Sequence, residues 1–227
     1  MKNLLLIGLI CVWFASCSTS GLMTRGSNYP NMYKENPVTL LVMPPINKTT
    51  HVEAKEYFYT TLAQPLCDKG YYVISPFLAM EMFRGESAYD SEQFINGSLD
   101  PFRNVFGADA VLFTTINSWS KSTLGGSITV NIEYELKSTR TRETLFKRAG
   151  QLTVDTSVTS DSNKLGDILF SLASSAINTA LTDKIVAARR CNNYVLRDLP
   201  VGKYSSLNGQ DKDVDAGNMN FTATVKE

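Results

Sequence analysis

Histidine is almost missing from this chain: His51 is the single one in 227 residues. A zinc centre needs several nitrogen or sulfur ligands, so one imidazole excludes a His-based metal site unless cysteines or carboxylates complete it. Cysteine is scarce too, with four, and two of them, Cys11 and Cys17, stand near the N-terminus. The remaining pair, Cys67 and Cys191, can form a disulfide in an oxidising compartment or stay as two buried free thiols; sequence separation decides neither. No sign of charge prevails, 22 basic against 22 acidic residues, so the basic face that nucleic acid demands is not encoded. No apolar run reaches the roughly 20 residues that cross a bilayer as a helix. A phosphate-binding loop is lacking as well: Gly125-Gly126-Ser127 has no Lys after it and runs into a strand pattern. There is no Gly-x-Ser-x-Gly nucleophile elbow. Glu81, Glu86, Asp90 and Glu92 miss the calcium-loop spacing and read as a solvated acidic loop.

What is present begins at the N-terminus. Lys2 precedes an apolar run over residues 4–15, and Phe14-Ala15-Ser16 leads to Cys17 followed by Ser18-Thr19-Ser20. This order, a basic start, a short apolar stretch and small residues, is that of a secretory signal. The Cys directly after the small pair resembles a bacterial lipobox, with Phe14 where Leu is commoner. In such signals the cut falls before the Cys, whose thiol takes a diacylglyceryl group and whose amine takes an acyl chain of the palmitate class. The plainer alternative is an ordinary signal peptide with an incidental Cys. Cys11 follows bulky Leu9-Ile10 and suits cleavage less well. Ser18 after the Cys resembles the outer-membrane sorting signal, which places the protein on the periplasmic face.

Hydrophobic residues make up 43% of the chain, with ten Tyr and eleven Phe, ample for one core. Residues 17–36 read as a lipidated start and flexible tether, 37–200 as one domain, and 201–227 as a loose Gly/Asp-rich tail. Val38 to Met43 is a continuous apolar run ended by Pro44-Pro45, which suits a strand buried on both faces. Residues 52–69 carry a helical pattern that Pro65 must distort, with Gly70 as its stop. Tyr71 to Ile74 follows as a strand, so the start reads as a parallel β-α-β crossover. Short helices are expected over 77–83, with Phe77, Met80 and Phe83 on one side, and over 99–106, with Ser98 as a candidate N-cap. Residues 85–97 read as a mobile polar loop. Ala110 to Ile116 is a third apolar strand. Ile128, Val130, Ile132, Tyr134 and Leu136 alternate with polar residues, and 145–154 return after a turn at 139–142, giving an antiparallel meander. From Asn163 a long amphipathic helix is expected, with Arg189-Arg190 near its end offsetting the helix dipole. The fold class is therefore mixed α/β: a mixed sheet with a parallel start, an antiparallel meander and a long C-terminal helix.

The strings Met43-Pro44-Pro45-Ile46-Asn47, Thr61-Leu62-Ala63-Gln64-Pro65-Leu66, Lys69-Gly70-Tyr71-Tyr72-Val73 and Phe106-Gly107-Ala108-Asp109-Ala110-Val111-Leu112 occur in this order. Together they resemble a bacterial family of envelope lipoproteins whose members are similar to the TolB N-terminal domain. Related domains occur in the curli-secretion channel lipoprotein and in lipoprotein activators of peptidoglycan synthases. The resemblance implies a TolB-N-terminal-like fold, an envelope assembly or secretion accessory, and a protein partner, for which a curli-channel-like lipoprotein is a candidate. It implies no catalytic residue and no cofactor.

Two rival functions differ from this reading. A pore-forming oligomer would use residues 127–137 as a membrane strand, at odds with a need for its apolar face inside the domain and with Lys147 and Arg148 on the returning strand. An envelope hydrolase would have to work with His51, in a loop-to-helix junction beside Glu53. The meander's outer strand and the loop over 85–97 are the candidate contacts for a partner.

Overall fold

The structure is a computed structural model that describes residues 23–85, 89–122, 126–155 and 176–226. Cys11 and Cys17 lie outside these residues, as do Glu86 and the stretch 163–175 of the expected long helix.

The apolar run after Pro37 becomes β1 (Thr39–Val42), and Leu40, Leu41 and Val42 are each almost wholly buried. A two-residue strand β2 (Ile46–Asn47) follows Pro44-Pro45. The expected single helix over 52–69 is two, α3 (Ala54–Thr60) and α4 (Ala63–Asp68). Pro65 is the reason for the break and also fits it. It stands in the first turn of α4, where its missing N–H would have no intrahelical partner. Gly70 ends that helix at φ +85°, and a Cβ there would lie 2.5 Å from the Ser205 nitrogen, so the close approach also demands glycine. Strand β3 (Tyr72–Val73) pairs parallel with β1, completing the β-α-β unit.

Strand β4 (Ala110–Lys121) lies parallel to both β1 and β2, and antiparallel to β5 (Ser127–Ser138). It runs five residues beyond the expected end because of a bulge between Ile116 and Ser118. The extra residue, Asn117, flips the side-chain parity, so that both Ile116 and Trp119 face the core. A second register shift opposite Leu136 and Lys137 lets adjacent Leu145 and Phe146 of β6 (Thr144–Asp155) both be buried. Beyond β6 lies β7 (Asn220–Val225), parallel to it, and the sheet order is β3-β1-β4-β5-β6-β7 with β2 beside β4.

The core splits across the sheet. On one face, Ile128, Val130, Ile132, Tyr134 and Leu136 pack with Phe58 and Leu62 and with Ala187, Ala188, Cys191 and Val195 of α7 (Ala176–Leu196). On the other, Leu41, Met43, Val111 and Phe113 meet Ala79 and Phe83 of α5 (Pro76–Gly85) and Leu99 and Phe102 at α6 (Asp100–Phe106). The mixed α/β class, the parallel start and the meander all stand as read from the sequence.

Several boundaries need correction. Residues 24–35 are not a tether: they form α1 (Arg25–Asn28) and α2 (Pro30–Glu35), with Tyr29 and Met32 buried. Aromatic and Met side chains at 29 and 32 have core to fill, and Thr24 and Ser27 supply a capping box for α1. Residues 201–226 are no loose tail either, since β7 pairs along β6 and Asp211 is 4% exposed. Within residues 85–97, Ser91 and the half-buried Phe94 and Ile95 are packed down, with Ser91 donating to the Pro44 carbonyl and the two apolar side chains joining the second core. Phe77 is 72% exposed rather than aligned with Met80 and Phe83. Helix α7 continues to Leu196, so Arg189-Arg190 are not terminal; Arg190 donates to the Asp155 carbonyl at 2.7 Å.

Candidate binding surface

Several buried polar groups of the described residues are directed at one another. Arg148 of β6 is 2% exposed. It donates to the carbonyls of Tyr194 and Val195, at 3.2 and 2.9 Å, and to that of Asn218. The first two are among the last carbonyls of α7, which lack intrahelical donors. Its Nε lies 3.8 Å from Asp198, which also accepts from the Tyr29 hydroxyl at 2.5 Å and the Gly217 amide at 2.9 Å. Burial, reinforced by the Asp198 hydrogen bond, pushes the Tyr29 hydroxyl far above its ordinary pKa, so it stays a donor. Asp211 accepts from Arg25, the Tyr33 hydroxyl and the Val201 amide at 3.0 to 3.1 Å. These contacts lock the N-terminal helices, the end of α7 and the C-terminal segment together.

The residues singled out from sequence fall apart from one another. His51 is exposed, and its carbonyl accepts from the Asn47 side chain at 2.8 Å, a loop role. Cys67 and Cys191 are both free: Cys67 is exposed on α4 while Cys191 is buried in α7, so the possible disulfide is not formed. Burial holds the Cys191 thiol far above its usual pKa, which leaves it protonated and inert. Glu81 pairs with Arg84 at 3.2 Å, whereas Asp90 and Glu92 lie toward Lys55, itself over the Tyr89 ring at 3.7 Å. Among the described residues no group of three or more His, Cys, Asp or Glu is placed to hold a metal ion. Trp119 and Tyr134 are core residues, with Trp119 edge-on to Phe58 and the Tyr134 hydroxyl donating to Asn192. Of the neighbours Tyr71 and Tyr72 the first is buried and the second 58% exposed. A cleft beside Glu35, Arg103, Asp109 and Arg140 has its carboxylates engaged. Glu35 accepts from Ser138 and Thr141, and Asp109 from the Val38 and Thr39 amides.

What remains is surface. Among the described residues β7 pairs on one side only, with β6, and so forms a sheet edge. This replaces β6 as the outer strand. Beyond the second core, the sheet face away from α7 is polar over the end of β4 and over β5 to β7, carrying Ser118, Ser120, Asn131, Glu133, Gln151 and Thr222. Thr129 and Thr153 meet there at 3.0 Å, and Lys147 bridges Glu133 and Glu135 at 2.6 and 3.5 Å. The apolar face of β5 is spent on the core, as read from its alternation. On α5, Phe77, Leu78 and Met82 are exposed near the opposite edge, β3. No described helix is long and apolar enough to cross a membrane. Sequence reasoning overlooked β7, although Phe221, Ala223 and Val225 alternate with Thr222 and Thr224.

Comparison with known proteins identifies a family. The family model described as "Putative lipoprotein GNA1162-like" matches residues 27–200. A curated protein of Neisseria meningitidis serogroup B, "Putative lipoprotein NMB1124/NMB1162", is 25% identical over 159 residues, which span 69% of this chain and 73% of that protein. The crystal structure of lipoprotein GNA1162 from Neisseria meningitidis aligns at 24% identity with a TM-score of 0.48, covering 64% of this chain and 99% of that one. The PelC dodecamer from Paraburkholderia phytofirmans aligns at 15% identity with a TM-score of 0.42, covering 71% and 86%. Strand β7 and the 211–219 segment lie beyond the family match. With its match running from α1 to the end of α7 and beyond, the chain belongs to the GNA1162-like lipoprotein family.

Proposed function

We propose that this chain is an outer-membrane lipoprotein facing the periplasm, acylated on Cys17, and that it serves as a non-catalytic binding or assembly accessory in envelope secretion or biogenesis. Membership of a lipoprotein family supports the anchor, because it gives the lipobox pattern at Cys17 the context it needs. Two or three acyl chains at ~0.8 kcal/mol per buried methylene hold a protein at a bilayer stably. The internal pairing of Arg148, Asp198, Arg25 and Asp211 favours recruitment over chemistry, since these charges serve the fold.

One observation carries the binding role: among the described residues β7 pairs on one side only, so the backbone groups of its other side can take a partner strand. A photo-crosslinking residue at Thr224, on β7, tests it in intact cells. The expected outcome is an adduct of one defined mass, lost when the same residue is moved to Thr129 in the middle of the sheet. Equal labelling at both positions, or none at Thr224, would contradict the edge as the contact. A curli-channel-like lipoprotein is one partner such an adduct can identify.

A further inference from the structure

We infer that the surface around Met23 and the 211–219 segment lies against the lipid bilayer itself, so the domain sits on the membrane instead of standing off from it. The inference rests on the acylation of Cys17 proposed above, and adds to it an orientation.

Its basis is the shortness of the free linker. The backbone of residues 24–26 is already bound to the domain: Arg25 and Gly26 amides donate to the Val214 and Lys212 carbonyls at 2.9 and 2.8 Å, and the Ala216 amide donates to the Met23 carbonyl at 2.6 Å. The Arg25–Asp211 ion pair, 13% and 4% exposed, pins the same point from inside. Only Ser18 to Leu22 separate an acylated Cys17 from Met23. Six residue steps span at most about 21 Å when fully extended. That is less than the breadth of the domain, because the sheet alone covers five strand spacings, about 24 Å from β3 to β7. The surface carrying Met23 must therefore stay near the headgroups.

That surface exposes apolar side chains: Met23, Val214 and Met219 are 57%, 45% and 44% exposed, beside the exposed Lys212, Asp213 and Asp215. The backbone bonds set Met23 beside Ala216 and Arg25 beside Val214, and Met219 follows three residues after Ala216. Short apolar side chains at a lipid interface bury into the headgroup and acyl boundary. The exposed Phe77 and Leu78 belong to α5, whose buried Ala79 and Phe83 pack on the sheet face opposite the one that holds Tyr29 and Met32.

Tryptophan quenching tests the orientation. The processed chain has one native tryptophan, Trp119, 7% exposed in the core and common to all variants. Full-length Val214→Trp, Met219→Trp and Phe77→Trp proteins are purified from membranes and reconstituted into phosphatidylethanolamine–phosphatidylglycerol vesicles with or without brominated acyl chains. The mass of each is measured first. The inference expects the added emission at 214 and 219 to fall about twofold with brominated lipid, as shallow interfacial burial requires, and that at 77 to stay unchanged. Unquenched emission at both 214 and 219 in protein of acylated mass overturns the orientation while leaving the anchor in place. A blue shift at 214 that grows with protein concentration in the absence of vesicles gives the surface to a second copy, and also overturns it. An unmodified Cys17 removes the linker argument and the anchor together.

Discussion

Arg148 is the residue on which three parts of the molecule meet, since its guanidinium reaches α7, the loop before β7 and, through Asp198, Tyr29 of the N-terminal segment. Truncating it leaves Asp198 buried with no cation and the α7 carbonyls without donors. Arg148→Ala should cost about 3–5 kcal/mol, the usual penalty for breaking a buried pair, and urea melts will read it; a loss below ~1 kcal/mol would mean water replaces the network. The opposite sign is expected at Thr114, whose hydroxyl is buried with no hydrogen-bond partner. Thr114→Val removes that desolvated group at constant shape, so stability should rise by about 1 kcal/mol. Lys69 supplies a pH signature. Its ammonium donates to the Arg197 carbonyl at 2.6 Å, yet burial first, and the nearby Arg25 charge next, push its pKa down to about 8. Between pH 8 and the ordinary value near 10.5 the unfolded chain holds a proton that the folded chain has released, so stability climbs with pH across that window. The urea midpoint of the natural protein should therefore rise more from pH 8 to 10 than that of Lys69→Met, and equal slopes would refute the assignment. None of these three roles was legible in the sequence. Each depends on contacts between residues far apart along the chain, which periodicity does not encode.

At the scale of elements the record is better, and its failures have identifiable causes. Strands β1, β4 and β5 announce themselves through unbroken apolar runs or strict alternation, and these survive folding because burial on one or two faces is what each pattern specifies. The bulge at Asn117 was hidden, since the pattern breaks there and resumes out of phase at Trp119. Helices α1 and α2 were missed because Ser, Gly, Asn and Pro dominate residues 18–36, and only Tyr29 and Met32 point to a packed segment. Strand β7 is six residues following a Gly/Asp-rich stretch, too short for its alternation to stand out. Its seat on β6 depends on Gly150, where a Cβ would lie 2.0 Å from the Phe221 carbonyl oxygen. Gly150→Ala should thus pry β7 loose while the meander persists. Hydrogen exchange would show it as lost protection confined to β7 and its contacts on β6; unchanged protection of β7 would mean the backbone accommodates the methyl.

For the whole molecule, the candidate surface was half legible. The alternation of β5 showed from residue order alone that its apolar face serves the core, whereas the anchor position proposed from the lipobox pattern lies outside the described residues. The identity of the open edge was not legible, because β7 comes from the far end of the chain and covers the strand expected to be outermost. The folded N-terminal helices also take up residues 25–35 of the expected tether, and the proposed orientation at the bilayer rests on that. Cys17→Ser should shift the protein from the membrane fraction to the soluble periplasmic fraction without altering its urea midpoint. The most direct test of the account is the intact mass of the protein extracted from cell envelopes. It should correspond to a chain beginning at Cys17 and carrying a diacylglyceryl thioether and an amide-linked acyl chain. A chain that keeps residues 1–16, or begins at Cys17 with a free thiol and amine, would contradict it.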